Sequence, residues 1–178
     1  FYAHPAAVKA IKAANITMVG NANNTNFGDE AIRSTIAVLN DQQIAFSGVG
    51  TNWEEACQPA LKTINGIRVG LIQRTSVYWP SNHEASASHP GVATVKIHTA
   101  YSPKIDGYAS NRPGTPPDIH TWADNKYLED LVKQIHKLKE TTDIVIASFH
   151  WGYNEKVLDY MREIAHAAID AGADIILG

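Results

Sequence analysis

The 178-residue sequence predicts an α/β fold with mixed sheets, and three stretches carry that prediction. In the first, Asp143-Ile-Val-Ile-Ala-Ser-Phe-His150 is an apolar, β-branched run, followed by a helical stripe and a second apolar run at 174–177. Strand, helix and strand at that spacing form a βαβ unit with a parallel pair and, by rule, a right-handed crossover. In the second, Leu61-Lys-Thr-Ile64 and Ile67-Arg-Val-Gly-Leu-Ile72 flank Asn65-Gly66. An Asn-Gly pair between strand-like runs is the strongest short signal for an antiparallel hairpin, because both central residues of the favoured turn need positive φ. The third is Gly20 to Gly28, a loop with four asparagines in nine residues between a short apolar run and a helical pattern.

In chain order, His4-Pro5 opens a first helix, with Pro in the turn where its missing N–H costs nothing. Val8, Ile11 and the alanines give that helix a small apolar face as far as Asn15, and Ile16 to Val19 read as a strand. Asn26 is expected to cap the next helix, where Asp29 and Glu30 favour the positive end and Ile32, Ile36 and Leu39 face the core. Ile44 to Phe46 read as another strand, and Val92 to Ile97 alternate as a further one. Ser102 to Pro117, rich in Pro and Gly, reads as a long ordered loop or lid. Asp124 caps a helix striped by Leu128, Leu131, Val132, Ile135 and Leu138, and a second stripe runs over 155–171 until Gly172.

Composition narrows the function. Hydrophobic residues make up 44% and charged residues 19%, with a net charge of -3 and no basic stripe, so nucleic acid is not an expected partner. The length suits one domain. A single cysteine, Cys57, excludes an internal disulfide and a Cys-based zinc site. No run approaches the roughly 20 apolar residues that span a bilayer, and the compartment stays open between cytoplasm and cell envelope.

The chemistry-bearing residues gather where strands end. An apolar run buried in a parallel sheet delivers His150, followed by Trp151 and Gly152, to the carboxyl edge where ligands bind in open α/β sheets. The Asn-rich loop follows a strand and precedes a helix, so Asn23 and Asn24 belong on the same edge, as ligands or as turn residues. A second candidate is Arg74 to Glu84, where Arg74 would grip an anion and His83 with Glu84 would move a proton. The alternative there is a packed aromatic loop with a surface His-Glu pair. Arg112 and Trp122 would close over the same site, whereas His136 and His166 lie on polar helix faces.

Four motifs carry a family resemblance: Ala22-Asn-Asn24 with Phe27-Gly28, Thr51 to Glu55, Ser148-Phe-His-Trp-Gly152, and Ala165 to Asp174. With them the chain resembles the bacterial capsule-synthesis family linked to poly-γ-glutamate production, the CapA type, over nearly its whole length. The resemblance implies an αββα sandwich like that of calcineurin-type metallophosphoesterases. It also implies a divalent-metal site (Mn, Mg, Fe or Zn), with two ions in the full-length protein, and an anionic small molecule or polymer as partner. Carried over, His150 is the metal-ligand histidine of the family's His-Trp-Gly, and Asn24 or Asn23 the ligand asparagine of its Asn-Asn-His. Two such ions about 3.5–4 Å apart lower the pKa of a bridging water and clamp a phosphate.

The pattern departs from the family at one informative place. Where the family has its expected acid histidine, this chain has Thr25, and the loop is two residues shorter. The upstream Gly-Asp strand and the downstream Gly-His-x-Pro-His are not found, and the sequence reads as a fragment of a longer protein. Two functions are therefore expected to compete. One is metal-dependent hydrolysis of a phosphoester or related anionic bond. The other is an accessory or binding role on an anionic polymer after loss of the catalytic His.

Overall fold

Strands and helices alternate through most of the chain in the computed structural model, which describes residues 4, 6–80, 83–105, 107, 111–153 and 156–178. The order is α1 (Ala7–Ala13), β1 (Met18–Gly20), α2 (Asp29–Asp41), β2 (Ala45–Ser47), β3 (Val49–Gly50), α3 (Trp53–Ala56), β4 (Ala60–Ile64) and β5 (Ile67–Thr75). Then come β6 (Gly91–Val92), β7 (Ile97–Ser102), β8 (Asp118–Ala123), α4 (Asn125–Thr141), β9 (Ile144–His150), α5 (Asp159–Asp170) and β10 (Ile175–Leu177). Pro5, expected in the first turn of α1, and Glu155, the expected start of α5, lie outside the described residues.

The main sheet has the order β10-β9-β5-β4. β9 runs parallel to β10 and to β5, and β5 is antiparallel to β4. Asn65 (φ 50°) and Gly66 (φ 84°) make the predicted tight turn between β4 and β5. On β9 the odd-numbered Val145, Ala147 and Phe149 are buried, joining Ile72, Leu131, Ile135, Leu138 and Ile164 in the principal core beneath α4 and α5. The even-numbered residues are only half-buried, so β9 is less evenly covered than its apolar sequence suggests. The parallel pair β1–β2 lies against the other face, and α2 packs beyond it through Ile32 and Ile36 in a second core with Ala22, Val49 and Val92. The result is a mixed α/β sandwich with parallel and antiparallel strands.

Three expectations need correction. Val92 to Ile97 is not one strand: Gly91–Val92 pairs with β3, and Ile97–Ser102 pairs with β8, the chain crossing between two small sheets. The Pro- and Gly-rich segment is therefore the connection of a β7–β8 hairpin. Asn26 does not cap α2, because Gly28 (φ 95°) occupies the N-cap and the Asn26 amide donates instead to the Asn21 carbonyl at 3.1 Å. The stripe assigned to 155–171 becomes helical only at Asp159.

Two carboxylates tie strand ends on the side away from the site. Arg68 grips Asp143 through Nε (3.2 Å) and Nη2 (2.8 Å), and its backbone N–H adds a bond of 2.7 Å. These bonds hold the Asp143 carboxyl down at about 2. Lys139 and the Val145 N–H likewise lower Asp174. A depressed folded pKa stabilises above the unfolded value of about 3.9 and is lost as pH falls toward the folded value. Stability is thus expected to decline between about pH 4 and pH 2, and Arg68→Ala should raise the Asp143 titration seen by carboxyl-carbon NMR.

Candidate functional site

His150 sits where it was expected, at the carboxyl tip of β9 and opposite Thr75, the last residue of β5. Thr75 is fully buried, and its hydroxyl lies 3.1 Å from His150 Nδ1. That oxygen accepts from the Val77 N–H and has the Val77 carbonyl at 2.9 Å to take its own proton. A hydroxyl proton given to the Val77 carbonyl, or to the His150 carbonyl at 3.1 Å, leaves the threonine oxygen to accept from Nδ1–H, the tautomer in which Nε2 keeps its lone pair for a ligand. Burial lowers the imidazole pKa, which favours the neutral form.

The two residues after it have packing reasons. Trp151 stacks on Phe149 (4.6 Å, 12°) and meets Tyr160 edge-on. It leaves no room for a side chain at 178, where a Cβ would come within 2.4 Å of the indole nitrogen. Gly152 has φ 106° and donates its N–H to the Tyr160 hydroxyl at 3.0 Å. His-Trp-Gly is thus one ligand-capable residue followed by an anchor and a turn.

One residue that sequence reasoning passed over, Gln73, positions the Asn-rich loop. Its carboxamide oxygen accepts from the Ala22 N–H (2.7 Å), its amide donates to Ser148 Oγ (3.3 Å), and its backbone N–H donates to Ser47 Oγ (3.2 Å). Gly20 must be glycine for this arrangement, since a Cβ there would lie 2.4 Å from the Gln73 side chain. The available signal was Gln73-Arg74-Thr75, three polar residues that follow the apolar Val69 to Ile72 and close the strand. Within the loop, Asn23 Oδ1 accepts from both the N–H (2.9 Å) and the hydroxyl (2.7 Å) of Thr25. Asn24 is exposed.

The second candidate segment does not assemble as one site. Arg74 points to the opposite face of the sheet from Gln73 and Thr75, is buried beneath α4, and donates to the Gln73 carbonyl and to Gln134. His83 is fully buried, with Nδ1 accepting from the Trp79 N–H at 2.7 Å and Phe27 edge-on at 5.1 Å. Its Nε2 therefore carries the proton, and no partner meets it among the described residues. Glu84 turns to Thr94 and Tyr127. Trp122 lies on β8 stacked on His98, Arg112 lies in the β7–β8 connection, and His136 and His166 are exposed on their helices.

Two clefts follow α4, about 550 Å³ and about 390 Å³, and they share Trp53 and Asp130. Lys126 and Lys133 line the first and Lys137 the second, a spacing that puts the three lysines in one row along the helix.

The sequence profile of the bacterial capsule synthesis protein PGA_cap matches residues 1–178. The chain belongs to this family. Among its relatives, the capsule biosynthesis protein CapA of Bacillus anthracis is 27% identical, over 96% of this chain and 36% of the relative. The PGA biosynthesis protein CapA of Bacillus subtilis (strain 168) is 28% identical, over 96% of this chain and 38% of the relative. A probable polyglutamine synthesis accessory protein of Mycobacterium tuberculosis (strain CDC 1551 / Oshkosh) is 28% identical, over 98% and 42% respectively. The chain therefore spans less than half the length of these relatives.

Of the residues expected to hold a metal, His150 stands at the tip of β9 and Asn24 is exposed in the loop after β1, while the Asn23 oxygen is already engaged by Thr25. Among the described residues no group of three or more His, Cys, Asp or Glu side chains is placed to hold a metal. No helix of the described residues is long and apolar enough to cross a membrane.

Proposed function

We propose that this PGA_cap chain is the binding portion of an accessory protein in the synthesis of an anionic, poly-γ-glutamate-type capsule polymer. The observation that carries the reading is the Asn23–Thr25 turn. At the position where the family resemblance expects an acid histidine, Thr25 offers a hydroxyl that cannot act as an acid near neutral pH, and it closes Asn23 into a local turn. The lysine row along α4 supplies donors for polymer carboxylates. The mycobacterial relative, a probable polyglutamine synthesis accessory protein, agrees with this reading.

The competing hydrolase reading rests on His150, whose Nε2 lone pair stands at the carboxyl edge. In it the αββα frame would be that of a metallophosphoesterase, and a divalent ion held by His150 and Asn24 would supply Lewis-acid activation of water. One set of assays separates the two, using the complete protein with Mn²⁺, an aryl phosphodiester and fluorescently labelled poly-γ-glutamate. The accessory reading expects polymer binding that survives His150→Ala and no metal-stimulated hydrolysis. Turnover in the wild type that falls at least 100-fold in His150→Ala would instead establish the hydrolase.

A further inference from the structure

The larger cleft along α4 has a floor and a rim of different chemistry. Trp53, Glu84, Tyr127 and Asp130 on the floor are half-buried, while Lys126 and Lys133 on the rim are exposed. The Trp53 and Tyr127 rings stand at 84° with centroids 5.9 Å apart, making a corner of two aromatic surfaces. Among the described residues, the side-chain hydrogen bonds to Glu84, from the Tyr127 hydroxyl at 2.6 Å and from Thr94, both fall on Oε1. The carboxylate is thereby held in one orientation, and Oε2 takes no hydrogen bond from the described residues. Burial and Glu84 push the Tyr127 phenol well up, so it stays protonated and remains the donor.

A cation is favoured against such a floor twice over, by the aromatic faces and by charge-assisted bonding to the carboxylate. An anion is favoured at the rim, where Lys126 forms no ion pair among the described residues and Lys133 lies 3.9 Å from Glu129. The volume falls in the range that encloses a small molecule. We infer that this cleft binds an α-amino-acid end group, with its ammonium on Glu84 in the Trp53–Tyr127 corner and its carboxylate at the Lys126 rim. The inference rests on the proposed polymer reading for the identity of the ligand. In a γ-linked glutamate chain every residue keeps an α-carboxylate, but only the first keeps a free ammonium. The cleft would therefore recognise the amino end of the polymer and pass over its interior.

The test titrates the complete protein with γ-glutamylglutamate and with its Nα-acetyl derivative, following Trp fluorescence and calorimetry. The free dipeptide is expected to bind, with the acetylated one at least roughly ten-fold weaker, the loss set by one charge-assisted bond. Glu84→Gln, which keeps an acceptor for Tyr127 and Thr94, should weaken the dipeptide by a similar factor at unchanged melting temperature. Lys126→Ala, an exposed change, should weaken it a few-fold. Equal binding of the acetylated dipeptide, or no binding of the free one at millimolar concentration, overturns the inference. Long poly-γ-glutamate in parallel separates the two ideas. If the polymer binds and the dipeptide does not, only the end-group site fails; if the dipeptide binds and the polymer does not, the amino-acid site stands, and both the polymer reading and the polymer as ligand of the cleft fail.

Discussion

Gly48→Ala is expected to lower the unfolding free energy by about 2–5 kcal/mol, a steric and a conformational cost acting together. Gly48 lies between β2 and β3 with φ 97°, a region that a Cβ disfavours. A Cβ there would also stand 2.6 Å from the Ala22 nitrogen and 2.7 Å from the Ala22 Cβ, neither of which is a flexible side-chain end. Ala22 is the residue that Gln73 holds, so the substitution presses directly on the seat of the Asn-rich loop. Gly66→Ala is the matched comparison: its φ is 84° but nothing lies within 4 Å of the added carbon, and only the backbone cost of about 1–2 kcal/mol should appear. Urea denaturation of the two variants measures the difference. Equal losses would mean that the Gly48–Ala22 approach is not a tight contact.

Ile135→Ala is the second large effect, with an expected loss of about 2–5 kcal/mol. Ile135 is fully buried, on the face of α4 that meets Val145, Phe149 and the rest of the principal core. Truncation removes apolar area and leaves a cavity that helix and sheet cannot fully close. Ile169→Ala on α5 makes the same chemical change at a 47% exposed position and should stay within about 0.5 kcal/mol. Thermal and urea melts of the two variants check this. The lysine row rides on α4, so Ile135→Ala should also loosen the proposed polymer binding near its lowered melting temperature.

What was legible in the sequence follows from how each element announces itself. β9, α4 and the β4–β5 hairpin carry long periodic patterns or a turn whose residues admit few alternatives, and they stand where expected. His150 is at its strand tip because the apolar run ends there. The β7–β8 hairpin was hidden because its partners are separated by a Pro-rich connection and neither strand, Ile97-His-Thr-Ala-Tyr-Ser or Asp118-Ile-His-Thr-Trp-Ala, alternates cleanly. α3 is four residues long, below the length at which helical period can be read. The Asn26 cap failed because the Asn26 amide, like that of Asn23, turns to the Asn21 backbone carbonyl within the loop, a preference that composition reports but does not assign. Arg74 faces α4 because strand residues alternate faces, and the sequence does not say which face carries the helix.

The Gln73 contacts also bear on how such a chain can vary. Among the described residues no backbone ladder joins β1–β2 to the main sheet; Gln73 of β5 instead bonds the loop after β1 at Ala22, β2 at Ser47 and β9 at Ser148. A ladder constrains every residue along it, whereas a seam of side chains constrains only those that touch. Loop and strand tip are therefore separable modules. This chain can shorten and rewrite the one, placing Thr25 where its family resemblance expects histidine, while keeping His-Trp-Gly intact on the other.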